Sequence, residues 1–183
     1  MNKNVPNMLT ILRVILVPFI ILFYYLQIPN WNIYAGIIFI IASLTDMADG
    51  MIARKYNLVS NFGKLMDPMA DKVLFMAALI ICLDWDQFGK LGVVVVVILL
   101  AREFLISGFR LIAANAGVVI AAGNIGKLKT VFQLVGTSLI FLGNPIASRF
   151  NIPLGQILVY ISTLLSIWSC FEYIYKNKEL LKG

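Results

Sequence analysis

Apolar residues in this chain run in stretches long enough to cross a bilayer. The segment VVVVVILLA at 93–101 is the most extreme of them, and comparable stretches precede and follow it. A helix needs about 20 predominantly apolar residues to span the hydrocarbon core. Helices and closed barrels alone satisfy their backbone groups there. The chain is 61% hydrophobic and 13% charged over 183 residues, with a mean hydropathy of +0.91. Soluble domains are about half apolar and a quarter charged. These features predict an all-α, polytopic membrane protein with room for five to seven helices.

Six helices are expected, over about 7–26, 31–56, 60–83, 90–114, 127–142 and 154–175, forming one domain across 1–183 with no internal repeat. Arg13 and Pro18 are irregularities within the first helix. The third has an ambiguous start. Asp67-Pro68 suits an N-cap followed by Pro at the first helical position, whereas a start near Ser60 lets the helix run through Pro68 with a kink. The second option is preferred because it aligns Gly63, Asp67 and Asp71. Residues 115–126 read as a loop or re-entrant link. The opening MNKNVPNMLTILR lacks a small-residue cleavage site and its apolar run continues to Leu26, so it reads as a retained helix. Trp31, Tyr24, Tyr25 and Tyr34 suit an interfacial belt.

Basic residues orient such a chain. With six helices, one side holds both termini together with Lys3, Arg54, Lys55, Lys64, Lys127, Lys129, Lys176, Lys178 and Lys182. The other side has Lys90 and Arg149 beside Asp84 and Asp86. Both termini are therefore expected in the cytoplasm. The net charge of +6 is explained by these loops. Histidine is absent, which excludes His-based zinc sites, His general bases and Ser-His-Asp triads. Cys82 and Cys170 lie in apolar segments and read as small core residues.

Against this background, TDMADGMIARKYNLVSNFGKLMDPMADK (45–72) stands apart. Asp46 and Asp49 are three residues apart and Asp67 and Asp71 four, spacings that share a helix face. An ionised carboxylate in a bilayer helix costs about 2.5–3.5 kcal/mol, so four need a reason. Asp46 lies about 12 Å along the helix from Arg54, below the headgroups but short of the midplane. All-oxygen ligands favour Mg²⁺ or Mn²⁺ over zinc, and four carboxylates balance two such ions. Nearby cations (Arg54, Lys64, Lys72) complete what a bound phosphate ester needs. A pore ring, a proton relay or local salt bridges are the plainer alternatives. A relay or pore more naturally sits at the midplane and draws on several helices.

The pattern Asp46-x2-Asp49-Gly50-x2-Ala53-Arg54-x8-Gly63-x3-Asp67-x3-Asp71 resembles the complete signature of the CDP-alcohol phosphotransferase family. The resemblance implies a six-helix membrane enzyme, generally a homodimer, that transfers a phosphatidyl or similar group from a CDP-linked lipid to an alcohol and releases CMP. It implies that Asp46 and Asp67 bridge two metal ions, that Asp49 binds one and Asp71 the other, and that Asp71 is the catalytic base. Gly50, Ala53 and Arg54 would line the donor site, with Gly63 making room. Ser60 is a further donor contact. Asn7 and Thr10 are others, although helix capping explains them equally well. The active site would face the cytoplasm from the cell membrane.

The acceptor is read from AREFLISGFRLIAANAG and NIGKLKT. Glu103 and Arg110 are seven apart on one helical face, with Ser107 between them. Arg102 lies about 80° from Arg110 around the helix. Arg110 and Lys127, with Arg102 and Lys129, would form an anion site for a phosphate on the acceptor. The simpler alternative has Arg102 pairing with an acid on a neighbouring helix and Lys129 facing solvent. REFLISGFRLIAA, AAGNIGKLKT and PNMLTILR are similar to the bacterial, phosphatidylglycerophosphate-forming branch of the family. That likeness implies CDP-diacylglycerol as donor and sn-glycerol 3-phosphate as acceptor; no nucleic-acid partner is expected. Inositol phosphate and phosphatidylglycerol are rival acceptors within the family. A small cation transporter or channel is the rival outside it, but its inverted repeat and broken helices are not seen.

Overall fold

The computed structural model describes residues 5–56, 61–115, 123–144 and 152–177; side chains are described over 11–45, 69–70, 72–113, 123–144 and 152–177. Six α-helices occupy the described residues, with no strand among them: α1 (Val5–Leu26), α2 (Trp31–Tyr56), α3 (Asn61–Asp84), α4 (Gly92–Asn115), α5 (Asn124–Phe141) and α6 (Leu154–Lys176). A 3₁₀ turn, Gly89–Leu91, leads into α4.

The sequence-based bounds hold to within three residues. α1 is continuous through Arg13 and Pro18, and α3 runs through Pro68. The largest shift is at α5. Its start at Asn124 places Lys127 inside the first turns, and the expected link is shortened accordingly.

Two helical stretches, Gly89–Ala113 and Leu154–Lys176, are long and apolar enough to cross a membrane, with mean hydropathies of 2.2 and 1.6. Only 28% and 33% of their apolar windows are buried within the fold, unlike the core helix of a soluble protein. Their outer faces expose large side chains at helical spacing, Ile157, Ile161, Leu164, Trp168, Phe171 and Tyr175 on α6 and Val93, Val97, Phe104 and Leu111 on α4. Bilayer lipid is the solvent that such faces fit. Shorter apolar lengths, Ile11–Leu26 and Trp31–Thr45, lie in α1 and α2.

One core draws on all six helices: Val17 and Ile20; Ala35 and Phe39; Leu74, Ala78 and Cys82; Val95 and Leu99; Ile140 and Phe141; and Val159. At one end of the bundle, Tyr24 donates its hydroxyl to the Asp84 carboxylate. Trp31 there packs edge-on against Tyr24 and Trp85, with ring centroids 5.0 and 4.9 Å away. Asn32 Nδ2 donates to the Phe141 carbonyl at 2.9 Å, and Tyr160 donates to the Phe88 carbonyl at 2.8 Å. These contacts gather the ends of α1, α3 and α5 with the starts of α2, α4 and α6. The opposite end therefore holds the start of α1, the end of α2, the start of α3, the end of α4, the start of α5 and the end of α6.

α5 and α6 form the closest helix pair. A Cβ at Gly136 would lie 2.8 Å from the Gly155 carbonyl oxygen, and one at Gly155 2.8 Å from that of Gly136. Small residues let backbones approach this closely. Ser162, Thr163 and Ser169 donate to carbonyls of their own helix, the local back-bonding open to short hydroxyl side chains. Replacing Gly136 by Val should lower the melting temperature of the purified protein in detergent by several degrees. Gly108→Ala, where an added Cβ meets nothing within 4 Å, should leave it within about one degree. Equal effects from the two substitutions would refute the tight crossing.

Candidate active site

The inward faces of α2 and α3 lead to the aspartates. On α2 the buried residues Trp31, Ala35, Phe39 and Ala42 follow one another at spacings of four, four and three. Continuing that register reaches positions 46, 49 and 53. On α3 the buried Ala78, Leu74 and Ala70 lie on a stripe that positions 71, 67 and 63 extend toward the helix start. Positions 46 and 49 thus continue the register of the interior stripe of α2, and positions 67 and 71 that of α3. The two helices pack against one another. All-oxygen donors at such positions fit a hard divalent cation, Mg²⁺ or Mn²⁺. The side chains of Asn7, Thr10, Asp46, Asp49, Gly50, Ala53, Arg54, Gly63, Asp67 and Asp71 lie outside the described residues, as does Ser60 altogether.

At the same end of the bundle α4, α5 and α6 enclose a pocket of about 510 Å³. Its lining includes Arg102, Glu103, Arg110, Lys127, Tyr173 and Lys176. Two carboxylates face four cations across it, and both carboxylates are already engaged. Glu103 accepts from Arg102 Nη1 at 3.0 Å and from the Lys129 ammonium. Glu172 accepts from Lys176 Nζ at 2.5 Å, four residues on. Arg110 and Lys127 are exposed and have no ion pair among the described residues. Among the described residues the pocket therefore carries an excess of positive charge, which favours an anion.

Arg102, Arg110 and Lys127, all named from the sequence, meet in this pocket. Glu103 joins them on the face shared with Arg110, and Ser107 between them donates to the Glu103 carbonyl at 2.6 Å. Among the described residues Arg102 reaches no acid on another helix. It pairs with Glu103 beside it and donates from Nη2 to Ser169 Oγ on α6 at 3.2 Å. Gly126 makes room for it, since a Cβ there would lie 3.2 Å from Nη2. Lys129 neither faces solvent nor lines the pocket. It is 2% exposed and turned onto Glu103, because an ammonium this deep needs a counter-charge.

The contribution of α6 was not anticipated. Ser169, Glu172, Tyr173, Lys176 and Asn177 all line the pocket. A signal was available in the polar residues at positions 162, 166, 169, 173 and 176, which recur every three or four along a largely apolar helix. Cys82 is buried in the core as expected.

The described residues thus form an all-helical bundle with a cation-lined pocket at the end where α2 ends and α3 begins. The chain matches the CDP-alcohol phosphatidyltransferase family over residues 3–168 and belongs to it. It is 37% identical to the CDP-diacylglycerol–glycerol-3-phosphate 3-phosphatidyltransferase of Bacillus subtilis, over 98% of this chain and 97% of the relative. Proteins of the same name from Rickettsia prowazekii (38%, covering 94% of each chain) and Haemophilus influenzae (37%, covering 99% and 97%) are similarly close.

Glu103→Gln should destabilise the fold by about 3 kcal/mol, because it strands a buried ammonium. Replacing Lys129 by Met as well should recover part of that loss. Melting curves of the three proteins in detergent test this, and a double variant no more stable than Glu103→Gln would count against the pairing.

Proposed function

We propose that this protein transfers the phosphatidyl group of CDP-diacylglycerol to sn-glycerol 3-phosphate, forming phosphatidylglycerophosphate and releasing CMP. The observation that carries the reading is a pocket whose Arg110 and Lys127 have no ion pair among the described residues, at the end of the bundle where the aspartate-bearing ends of α2 and α3 lie. A phosphorylated acceptor needs that charge, whereas an uncharged alcohol does not. Near-full-length likeness to relatives that carry this activity in their name supports it.

In this proposal Gly50, Ala53, Arg54, Gly63 and Ser60 bind the donor, with Asn7 and Thr10 as further contacts. Arg110, Lys127 and Arg102 bind the acceptor's phosphate, and Lys129 acts one step removed by holding Glu103. Asp46, Asp49, Asp67 and Asp71 hold two divalent cations, Mg²⁺ or Mn²⁺, which would neutralise the donor diphosphate and acidify the acceptor hydroxyl. Asp71 removes the proton from that hydroxyl, a role left to a carboxylate by the absence of histidine. The acceptor oxygen then bonds to the phosphorus that carries diacylglycerol. The bond from that phosphorus to the CMP oxygen breaks, and CMP departs with the electron pair. Asp71 afterwards passes its proton to water.

The proposal places six spans in the cell membrane with both termini and the active site on the cytoplasmic side, as the lysines and arginines at that end of the helices favour. A homodimer is included on the strength of the family resemblance. Light scattering of the detergent-solubilised protein tests the dimer, and a monomeric mass would remove it.

Purified protein given CDP-diacylglycerol, Mg²⁺ and glycerol 3-phosphate should release CMP, and chelation by EDTA should stop it. No CMP with any acceptor would overturn the enzyme reading. Release with inositol phosphate alone would move only the acceptor. Asp71→Asn should reduce turnover at least about a thousandfold while CDP-diacylglycerol still binds. Near-normal rates in that variant would exclude Asp71 as base. Arg110→Gln should raise KM for glycerol 3-phosphate about tenfold or more with KM for the donor unchanged.

A further inference from the structure

Lys176, the last residue of α6, lines the cation pocket and has no part in the reaction as drawn above. Its ion-pair partner among the described residues is Glu172, one turn earlier and lining the same pocket, whose carboxylate takes the ammonium at 2.5 Å. The two side chains are 68% and 34% exposed. Exposed ion pairs of this spacing hold weakly, unlike the grip of Glu103 on the buried Lys129. Tyr173 stands between the two in sequence, and the Arg110 guanidinium lies over its ring, 5.8 Å from the centroid. The pair therefore borders a cation that the proposed function assigns to the acceptor's phosphate.

We propose that Lys176 is a further binding residue for the acceptor's phosphate and that Glu172 competes with the phosphate for it, so that the pair opens as the acceptor enters and re-forms as the product leaves. This rests on the pocket being the acceptor site. Three features carry it. A phosphate dianion brings more negative charge to the ammonium than one carboxylate does, and hydrogen bonds between two ionised groups are among the stronger kinds. The lysine stem is flexible and mostly in solvent, so its ammonium can turn from Glu172 to a ligand without moving the helix. The third feature is a carboxylate in the wall of a pocket meant for an anion. The acceptor's phosphate passes unaltered into the product, so each cation that captures the substrate also retains the product. Holding both alike lowers KM without speeding the chemistry. Glu172 weakens that hold by taking back one of the pocket's cations.

Steady-state kinetics of the full chain in lipid-containing micelles test this. Glu172→Gln should lower KM for glycerol 3-phosphate about fivefold and the inhibition constant of phosphatidylglycerophosphate by a similar factor, with KM for CDP-diacylglycerol changed less than about twofold. Lys176→Gln should raise the acceptor KM about threefold. The variant carrying both substitutions should lose the gain, because Glu172 acts through Lys176. Asp86→Asn, just beyond α3 at the opposite end of the bundle, changes the net charge as Glu172→Gln does and should leave the acceptor KM within about twofold. An acceptor KM unchanged or raised in Glu172→Gln overturns the proposal and marks the pair as a support for the helix end. So does a gain that survives in the double variant, or one that Asp86→Asn reproduces. The donor KM reports folding in each variant. If Arg110→Gln raises the acceptor KM while neither Glu172→Gln nor Lys176→Gln shifts it, the pocket reading stands and this inference fails. If Arg110→Gln and Lys127→Gln both leave it unchanged, the pocket reading itself is wrong.

Discussion

An ionised group inside an apolar helical bundle has to find a counter-charge, and that requirement shapes this molecule more than any other. Lys129 is the clearest case, an ammonium 2% exposed that Glu103 receives from another helix. Glu103 also takes Arg102 from its own helix, and Arg102 reaches on to Ser169 of α6. One carboxylate thereby ties α4 to α5, and through Arg102 to α6, where apolar packing alone would allow the three helix ends to slide. Burial of such a group is costly, and its removal leaves the partner charge stranded.

Once Glu103 is saturated, the remaining cations acquire meaning. Arg110 and Lys127 line the same pocket with no acid left over for them among the described residues. A soluble protein would let water and counterions screen them. At the end of a membrane bundle the screening is weaker, and the proposed function puts that charge to use in holding a phosphate. The pocket's shape follows from packing elsewhere. The contact of Gly136 with Gly155 sets how closely α6 lies along α5, and therefore where Tyr173 and Lys176 stand relative to Lys127.

Much of this was legible in the sequence. The helices are, because each apolar run is long, bounded by polar turns and free of competing strand periodicity; α2 was read to the residue. So are the aspartates, whose cost in an apolar setting and whose spacing on a helix both follow from residue identity. Arg110 and Glu103 share a face by simple periodicity, and they do line one pocket. The partners are not legible in this way. Arg102 was assigned to the acceptor's phosphate, with an acid on a neighbouring helix as the alternative, and it pairs with the adjacent Glu103. Lys129 looked as suited to solvent as to a phosphate, and lies buried on Glu103.

The sequence by itself determined the all-helical membrane class, the carboxylate signature and the family, since these depend on composition and on spacing along single helices. The tertiary structure decided which cations are already neutralised, which stay available to a ligand, and that α6 supplies a wall of the pocket. Those facts depend on distances between helices far apart in the chain. No periodicity within one helix encodes the angle and depth at which another packs against it.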